Sequence, residues 1–328
     1  MFGLVSVLLF FAGNALYENP AADRLIRQSM QASYNLQLAD ARATARTLQN
    51  QFPDHPAGYT LMAETYWWEA QTDPGNERIE DAYYRIQEQA VEKAEAALKG
   101  GKYSKVELTA HLASLHGSHA RFQVTQKQAF FSALKLGLKA HGYAEDAYKL
   151  DRNYYDIYVG LGAYNYFAAS VPSVIKPFAW LLGIRGDRAL GEQQLRTAIE
   201  KSRYAQTEGR IVYYTALLED EKYTDAFRIL ERLRSDYPDN FVFYIWVTDW
   251  FRRQRKNLEG ADYFEKVFQE QSKRSPVMAK YALLEKANLQ LAHARKAEAA
   301  QTLRRMKAIS TSDALLARKT QDLERRIS

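Results

Sequence analysis

The 328-residue sequence contains no cysteine. This absence excludes disulfides, iron–sulfur clusters, thiolate zinc sites, a cysteine nucleophile and a lipid-anchored N-terminal cysteine. Glycine and proline are scarce, at 16 and 8 residues, which is too few for the many turns of a β-sandwich or barrel. The composition therefore favours long helices, and 47% hydrophobic with 26% charged residues is typical of a folded protein rather than a disordered one.

Motifs of common catalytic sites are missing as well. His116 and His119 share one helical face, but the residues between them are glycine and serine, so neither an H-E-x-x-H zinc motif nor a G-x-S-x-G elbow is present. His111 lies about 140° around the same helix from His116, which makes three-point metal ligation awkward. Residues 100–102 lack the earlier glycine of a phosphate loop. The sequence predicts no enzyme, no catalytic residue, no cofactor and no metal site.

Charge is distributed unevenly along the chain. Residues 251–328 contain 18 basic and 9 acidic residues, whereas residues 1–250 contain 27 basic and 30 acidic ones. The basic third can attract an anionic partner or a membrane surface, or its charges can be the solvated faces of helices. The basic residues at 252–256 follow an aromatic segment, but helix packing already explains half of those aromatics. No nucleic-acid partner is expected.

Residues 1–15 are typical of a signal peptide. The first 17 residues carry no charge, and a short apolar run over 4–12 is followed by Gly13, Asn14 and Ala15, with small residues at the two positions that a signal peptidase reads. The run is shorter than the roughly 20 residues of a membrane span. No Lys or Arg precedes it, so a retained anchor and a buried helix stay open as alternatives. We expect a mature start near Leu16 and a periplasmic or otherwise exported protein; the alternative is membrane anchoring by this segment.

A helical-hairpin pattern repeats with a period near 34 residues. In residues 207–240, two stripes of apolar and small side chains flank a polar turn, and Pro238 ends the second helix. Small residues recur at the eighth and twentieth positions, which lets two helices approach closely. The same pattern is found at 22–55, 241–274 and 280–313, and in looser form at 56–98 and 104–150.

This pattern resembles the tetratricopeptide-repeat (TPR) superfamily. The resemblance implies an all-α fold, a right-handed superhelical solenoid of about seven helix hairpins that forms a single domain over residues 16–328. Residues 312–327 carry apolar side chains at helical spacing with charges between them, which predicts a capping helix at the C-terminal end.

One segment interrupts the repeat. Residues 171–187 separate the two helices of the fourth hairpin and are mostly apolar, unlike a solvated loop. The segment can fold back and plug the solenoid, or it can serve as a membrane wedge or a docking knob. The residues expected to carry either role are Ile175, Phe178, Trp180 and Leu181.

The residues around this insertion resemble one particular family within the TPR superfamily. They look like the signature of a TPR family that includes the eukaryotic inclusion-body-clearance protein of the mitochondrial outer membrane and exported bacterial relatives. The export-like N-terminus and short chain favour the bacterial branch. The matching residues are Gly160-Leu161-Gly162, Tyr164-Asn165-Tyr166-Phe167, Pro172, Leu181-Leu182-Gly183, Gly186-Asp187-Arg188 and Gly191.

The TPR resemblance also implies which side chains line a concave groove. Groove positions fall on the first helix of each hairpin, and the pattern that clamps chaperone C-termini in some TPR domains is absent. We therefore expect a non-catalytic scaffold that binds an extended or helical protein segment. The alternative is a membrane-associated structural protein that uses the 171–187 insertion and the basic C-terminal third. The candidate groove residues are Glu64, Trp67, Trp68, Tyr166, Phe167, Thr215, Glu219, Asp249, Arg252, Arg253 and Asn288.

Overall fold

Fifteen α-helices make up nearly all the regular structure of the computed structural model, which describes residues 15–170 and 184–328. Those ranges contain no β-strand, and none of their helices combines the length and the apolar character that a membrane span requires. The first eight are α1 (Pro20–Tyr34), α2 (Leu38–Gln51), α3 (Ala57–Thr72), α4 (Glu77–Gly100), α5 (Lys105–Lys127), α6 (Phe130–Leu150), α7 (Tyr158–Ala169) and α8 (Arg188–Lys201). The remainder are α9 (Gln206–Glu219), α10 (Tyr223–Asp236), α11 (Val242–Arg253), α12 (Asn257–Gln271), α13 (Pro276–Ala292), α14 (Lys296–Lys307) and α15 (Ala314–Ile327).

These helices confirm the predicted all-α hairpin architecture. In the described ranges they form seven successive pairs, α1/α2 to α13/α14, followed by α15. The four segments that matched the repeat best each contain one pair. The predicted capping helix is also present. It begins at Ala314 rather than at residue 312, because the Asp313 carboxylate accepts a hydrogen bond from the Leu316 backbone N–H at 2.8 Å and so caps the helix.

The same backbone turn recurs at the same position of the four well-matched repeats. The fifteenth residue of each well-matched repeat has a positive φ near 60°, and none of these residues is glycine. After each one, the next backbone N–H bonds to the carbonyl five residues earlier, as Lys256 does to Phe251 at 2.9 Å. This is the Schellman motif that closes a helix C-terminus. The four residues are Leu36, Glu221, Arg255 and Ala294.

The helices are grouped into two compact units. The first comprises Met1–Ser33, Gln37–Ala70 and Pro74–Gly209. The second comprises Tyr34–Leu36, Gln71–Asp73 and Arg210–Ser328.

The core of the first unit includes a cluster built by its N-terminal helices. Apolar side chains of α1, α2 and α3 bury one another there, and small residues at the crossing points keep the helices close. Leu16, which lies just before α1, is 3% exposed and belongs to this cluster. Its buried members are Leu16, Ala22, Ile26, Ala45, Leu48, Ala57, Leu61 and Met62.

Two glycines of the signature segment let α7 and α8 touch through their backbones. A Cβ on Gly162 would lie 2.9 Å from the Gly191 carbonyl oxygen, and one on Gly191 would lie 2.6 Å from the Tyr166 backbone nitrogen. Both distances are shorter than real Cβ contacts. The helix pair that flanks the insertion therefore requires glycine at its crossing point.

Two sequence predictions fall on residues outside the described ranges. The predicted signal segment lies outside them over residues 1–14, whereas Ala15 and Leu16 are described. Most of the insertion, including Ile175, Phe178, Trp180 and Leu181, is outside as well. The choice between a plug and a membrane wedge stays a prediction.

Candidate functional site

The candidate site is a polar surface on the first helices of three consecutive hairpins in the second unit, named here the first-helix strip. It carries six of the predicted groove residues. All are exposed except Asn288, which is partly buried. Since α11 packs on α13 as well as on its own partner α12, the last two of these helices lie side by side. The strip comprises Thr215 and Glu219 on α9, Asp249, Arg252 and Arg253 on α11, and Asn288 on α13.

At one end of the strip, Arg253 joins two acidic residues. Its Nε donates to Asp249 Oδ2 at 2.8 Å, and its guanidinium lies 3.7 Å from the Glu219 carboxylate. The hydrogen bond to Asp249 is the main reason why the pKa of Arg253 is raised above its ordinary value. These three charged groups are paired with one another, so this end of the strip offers no unpaired charge to a partner.

The other end of the strip presents two arginines with spare donors. Arg252 donates to the Asn288 backbone carbonyl at 3.3 Å, and Arg326 donates to the Asn288 side-chain oxygen at 2.8 Å. Each guanidinium has five N–H groups, and within the described residues neither forms a salt bridge. The pair can therefore bind a carboxylate.

Sequence reasoning missed Arg326. It lies on the capping helix α15, which no groove position of the repeat reaches, and only the fold brings it to Asn288.

Beneath this end of the strip, Asn288 also donates to Glu285 at 3.3 Å, and burial raises the pKa of the Glu285 carboxyl.

The predicted groove residues of the first unit do not agree with an open groove. Trp67 and Trp68 are 2% and 0% exposed, and Tyr166 is also fully buried. The expectation that these three contact a partner is therefore wrong for this structure, because the repeat register identified inward-facing positions in helices α3 and α7. Phe167, in contrast, is exposed.

Glu64 belongs to a partly buried polar group in the first unit. Arg121 on α5 forms an ion pair with Glu208 on α9, and the Arg121 guanidinium stacks 3.8 Å from the Trp67 ring centroid. Burial, helped by the Glu208 charge, raises the pKa of Glu64 to about 7, and Arg121 offsets part of that rise. The sequence alone gave no signal for Arg121 or Glu208.

A second polar cluster in the first unit was also missed. His55, Glu107 and His111 place one nitrogen or oxygen each within 4.8 Å of one another, an arrangement that can hold a metal ion. However, His55 Nδ1 accepts a hydrogen bond from the Ala57 backbone N–H at 3.1 Å. A neutral imidazole that accepts at Nδ1 carries its proton at Nε2. His55 Nε2, which lies 3.8 Å from the Glu107 carboxylate, therefore has no lone pair for a metal ion.

His116 and His119 lie outside this cluster. The His116 ring stacks on Tyr143 at 5.7 Å between centroids, and burial lowers its pKa to about 4. Tyr83 and Tyr84 surround His119. Both histidines therefore occupy aromatic packing positions.

The tip of the α5/α6 hairpin exposes apolar side chains. Phe131 is 92% exposed and Phe130 is 67% exposed, with Val124 and Leu134 beside them in sequence. Residues 108–144 contain no acidic residue. Lys135 and Lys139 on α6 are exposed near this tip, which gives the apolar surface a cationic border.

Comparisons with known proteins add little to these observations. No protein-family model matches the sequence, and no curated protein matches it either. Among solved structures, the chain is similar to a tetratricopeptide repeat protein from Parabacteroides merdae, with 16% sequence identity and a TM-score of 0.37 over 93% of this chain and 99% of that chain. A TM-score at this level supports no argument, so the assignment of the fold rests on the helices themselves.

Proposed function

We propose that the protein is a non-catalytic, TPR-like scaffold whose first-helix strip binds a protein segment through a carboxylate. The observation that carries this proposal is the convergence of Arg252 and Arg326 on Asn288. Helix pairs that share one register and one closing turn are the architecture that presents such first-helix surfaces. The exported bacterial branch of the inclusion-body-clearance family is the finer assignment that the signature glycines favour.

The chemistry of the open end of the strip defines the partner. Two planar guanidiniums bind carboxylates bidentately, and the polar side chain between them fixes their spacing. The excess of basic residues in the chain after residue 250 adds long-range attraction for an anionic segment. The favoured partner is a peptide with Asp, Glu or a free C-terminal carboxylate.

A selection experiment tests this assignment. The full chain is used to select binders from a displayed library of random decapeptides, and the selected pool is sequenced. We expect enrichment of Asp, Glu or a free C-terminus with the wild type, and loss of that enrichment with Arg252→Ala/Arg326→Ala. Arg228→Ala is the matched control, because Arg228 is an exposed arginine on the second helix α10. The proposal is contradicted if the double variant selects the same peptides as the wild type, or if the wild type selects a pool without acidic enrichment.

The exposed tip of the α5/α6 hairpin favours a second candidate function, binding to an anionic membrane surface. Exposed phenylalanines bordered by lysines are the side chains that enter a lipid headgroup region, and their affinity scales with the apolar area buried there. This role would use Phe130 and Phe131, which the sequence reading did not single out.

Vesicle sedimentation separates the two functions. Vesicles of phosphatidylglycerol and phosphatidylcholine should sediment the wild type, and Phe130→Ser/Phe131→Ser should abolish this while leaving peptide selection unchanged. Leu190→Ser is the control, since Leu190 is an exposed leucine on α8. Equal sedimentation of all three proteins contradicts membrane binding by the tip.

A further inference from the structure

The backbone of Leu16 is bound by a buried carboxylate. The Leu16 N–H donates to Glu107 Oε2 at 2.8 Å, across 91 residues of sequence. Glu107 is 2% exposed and Leu16 is 3% exposed, so water does not compete for this contact. A glutamate on the first turn of α5 therefore recognises the main-chain nitrogen of one particular residue.

The residues that follow Leu16 are fixed as firmly. Arg203 donates to the Tyr17 carbonyl at 3.2 Å and to the Asp23 carboxylate at 2.9 Å. Tyr204 donates its hydroxyl proton to the same Asp23 carboxylate at 2.6 Å. The Leu16 side chain is itself part of the core cluster of the first unit. These contacts therefore hold Leu16 and the residues just after it in place.

The Glu107 carboxylate is ionised but has no Lys or Arg partner among the described residues. Burial acts to raise its pKa, but His55, whose Nε2 lies 3.8 Å from the carboxylate, and the other nearby groups outweigh burial and hold that pKa below its ordinary value. Burial lowers the pKa of His111 to about 4, so this neighbour is neutral at pH 7. Within the described residues, no Lys or Arg forms a salt bridge with Glu107. A buried carboxylate in this position is costly until a positive charge joins it.

The sequence before Leu16 can supply that charge. Gly13, Asn14 and Ala15 form the small-residue pattern of a leader cleavage site, and the bond that this pattern marks joins Ala15 to Leu16. We propose that this bond is hydrolysed and that Glu107 is the receptor for the new α-ammonium group of Leu16. A leader peptidase adds water across the bond: Ala15 leaves with a carboxylate, and the Leu16 nitrogen gains the proton that makes it an ammonium.

The order of events follows from burial. Ala15 is only 8% exposed in the folded chain, so a peptidase reaches the bond before the first unit folds. The ammonium then replaces the amide N–H at Glu107, and a hydrogen bond from an uncharged amide to the carboxylate becomes a buried ion pair. A metal ion is the competing occupant of this carboxylate, and the proton assigned to His55 Nε2 argues against it.

The first experiment identifies the amine and measures its environment. The full-length gene product is purified from its native cells and its N-terminus is sequenced, with Leu16 expected as the first residue. Its α-amine is then labelled at pH 7 with an amine-reactive ester, natively and in urea. We expect native labelling to be slower by roughly tenfold or more, because each unit by which the pKa rises leaves ten times less free amine. A different first residue, or equal labelling rates, overturns the proposal.

The second experiment tests Glu107 as the receptor. Glu107→Gln should restore fast labelling of Leu16, whereas Glu88→Gln, an exposed glutamate on α4, should not. If Glu107→Gln does not fold, a chain with Gly-Ser placed before Leu16 replaces it. That chain keeps an amide at Leu16 and should melt at a lower temperature than the free-amine form. Equal melting temperatures, or stoichiometric zinc in the native protein, overturn the proposal.

Discussion

Arg305 and Glu265 form a bidentate ion pair in the second unit. The two guanidinium nitrogens Nη1 and Nη2 lie 2.7 and 2.8 Å from Oε2 and Oε1 of the carboxylate, and Lys286 Nζ lies 2.6 Å from Oε2. These three residues belong to α14, α12 and α13, so the carboxylate ties together helices from two hairpins. The Arg305 hydrogen bonds are the largest cause, and together with Lys286 they outweigh burial and lower the pKa of Glu265 to about 2.

This pKa predicts how acid destabilises the second unit. A carboxyl group with a lowered folded pKa contributes stability above its unfolded pKa of about 4.5, and loses it as the pH falls toward 2. Glu265→Gln should therefore cost roughly 1–2 kcal/mol at pH 7 and progressively less below pH 4.5. Urea unfolding between pH 7 and pH 3 measures the difference.

The control for this prediction lies on the same helix. Glu259 is exposed on α12, so Glu259→Gln should leave the free energy of unfolding within about 0.5 kcal/mol of wild type across that pH range. If both substitutions change stability equally at every pH, the ion pair does not account for the acid response.

A glycine at the closing turn should stabilise the chain. Ala294 has φ of 60°, a left-handed conformation that costs an alanine roughly 1 kcal/mol and a glycine little. Ala294→Gly should raise the free energy of unfolding by about 0.5–1 kcal/mol. Ala317→Gly, at an exposed position within α15, should instead lower it by about 1 kcal/mol. Thermal unfolding of both variants gives the two signs, and a loss of stability in Ala294→Gly would contradict the Schellman assignment.

The sequence was sufficient to predict the hairpins because their signals are local. The stripe of apolar residues and Pro238 fix helices within a window of about 34 residues, and the structure agrees within a few residues. The register was accurate enough that the same position adopts the same left-handed turn in four repeats.

The contacts that complete each site lie far apart in sequence. Arg326 reaches Asn288 from 38 residues away, and Glu107 reaches Leu16 from 91 residues away. No local pattern marks either partner. The groove prediction failed at Trp67 and Trp68 for a related reason: periodicity identifies which residues share a face, but tertiary packing decides whether that face is open.

Glycine at the α7/α8 crossing should be essential, while a neighbouring glycine should not. A Cβ on Gly191 would meet the Gly162 carbonyl oxygen at 2.9 Å, whereas one on Gly160 would meet only the Ala144 Cβ at an ordinary 3.6 Å. Gly191→Ala should therefore cost about 1–3 kcal/mol, through helix separation. Gly160→Ala should be neutral or slightly stabilising, because alanine favours helix. Urea unfolding of both variants tests this, and similar effects would argue against a backbone contact.

Trp68 should behave as a core residue rather than a binding residue. Its side chain is fully buried in the first unit, so Trp68→Ala should cost about 3–5 kcal/mol. Phe131→Ala, at an aromatic position that is 92% exposed, should change stability by less than about 0.5 kcal/mol in the absence of lipid. Melting temperatures of the two variants make the comparison. An unchanged melting temperature for Trp68→Ala would contradict the core assignment and support the original prediction that Trp68 contacts a partner.

The buried Glu64 should make the first unit less stable as the pH rises. Its folded pKa of about 7 exceeds its unfolded pKa of about 4.5, because burial and the Glu208 charge both oppose ionisation. The folded state then binds the proton more tightly, so stability is greatest below pH 4.5 and is lost as the pH rises from 4.5 through 7. Glu64→Gln should stabilise the protein by roughly 1–3 kcal/mol at pH 8 and change it little at pH 4.5. Urea unfolding at the two pH values provides the measurement, with exposed Glu88→Gln as the control. A loss of stability at pH 8 would show that the ionised carboxylate is instead held as a partner of Arg121.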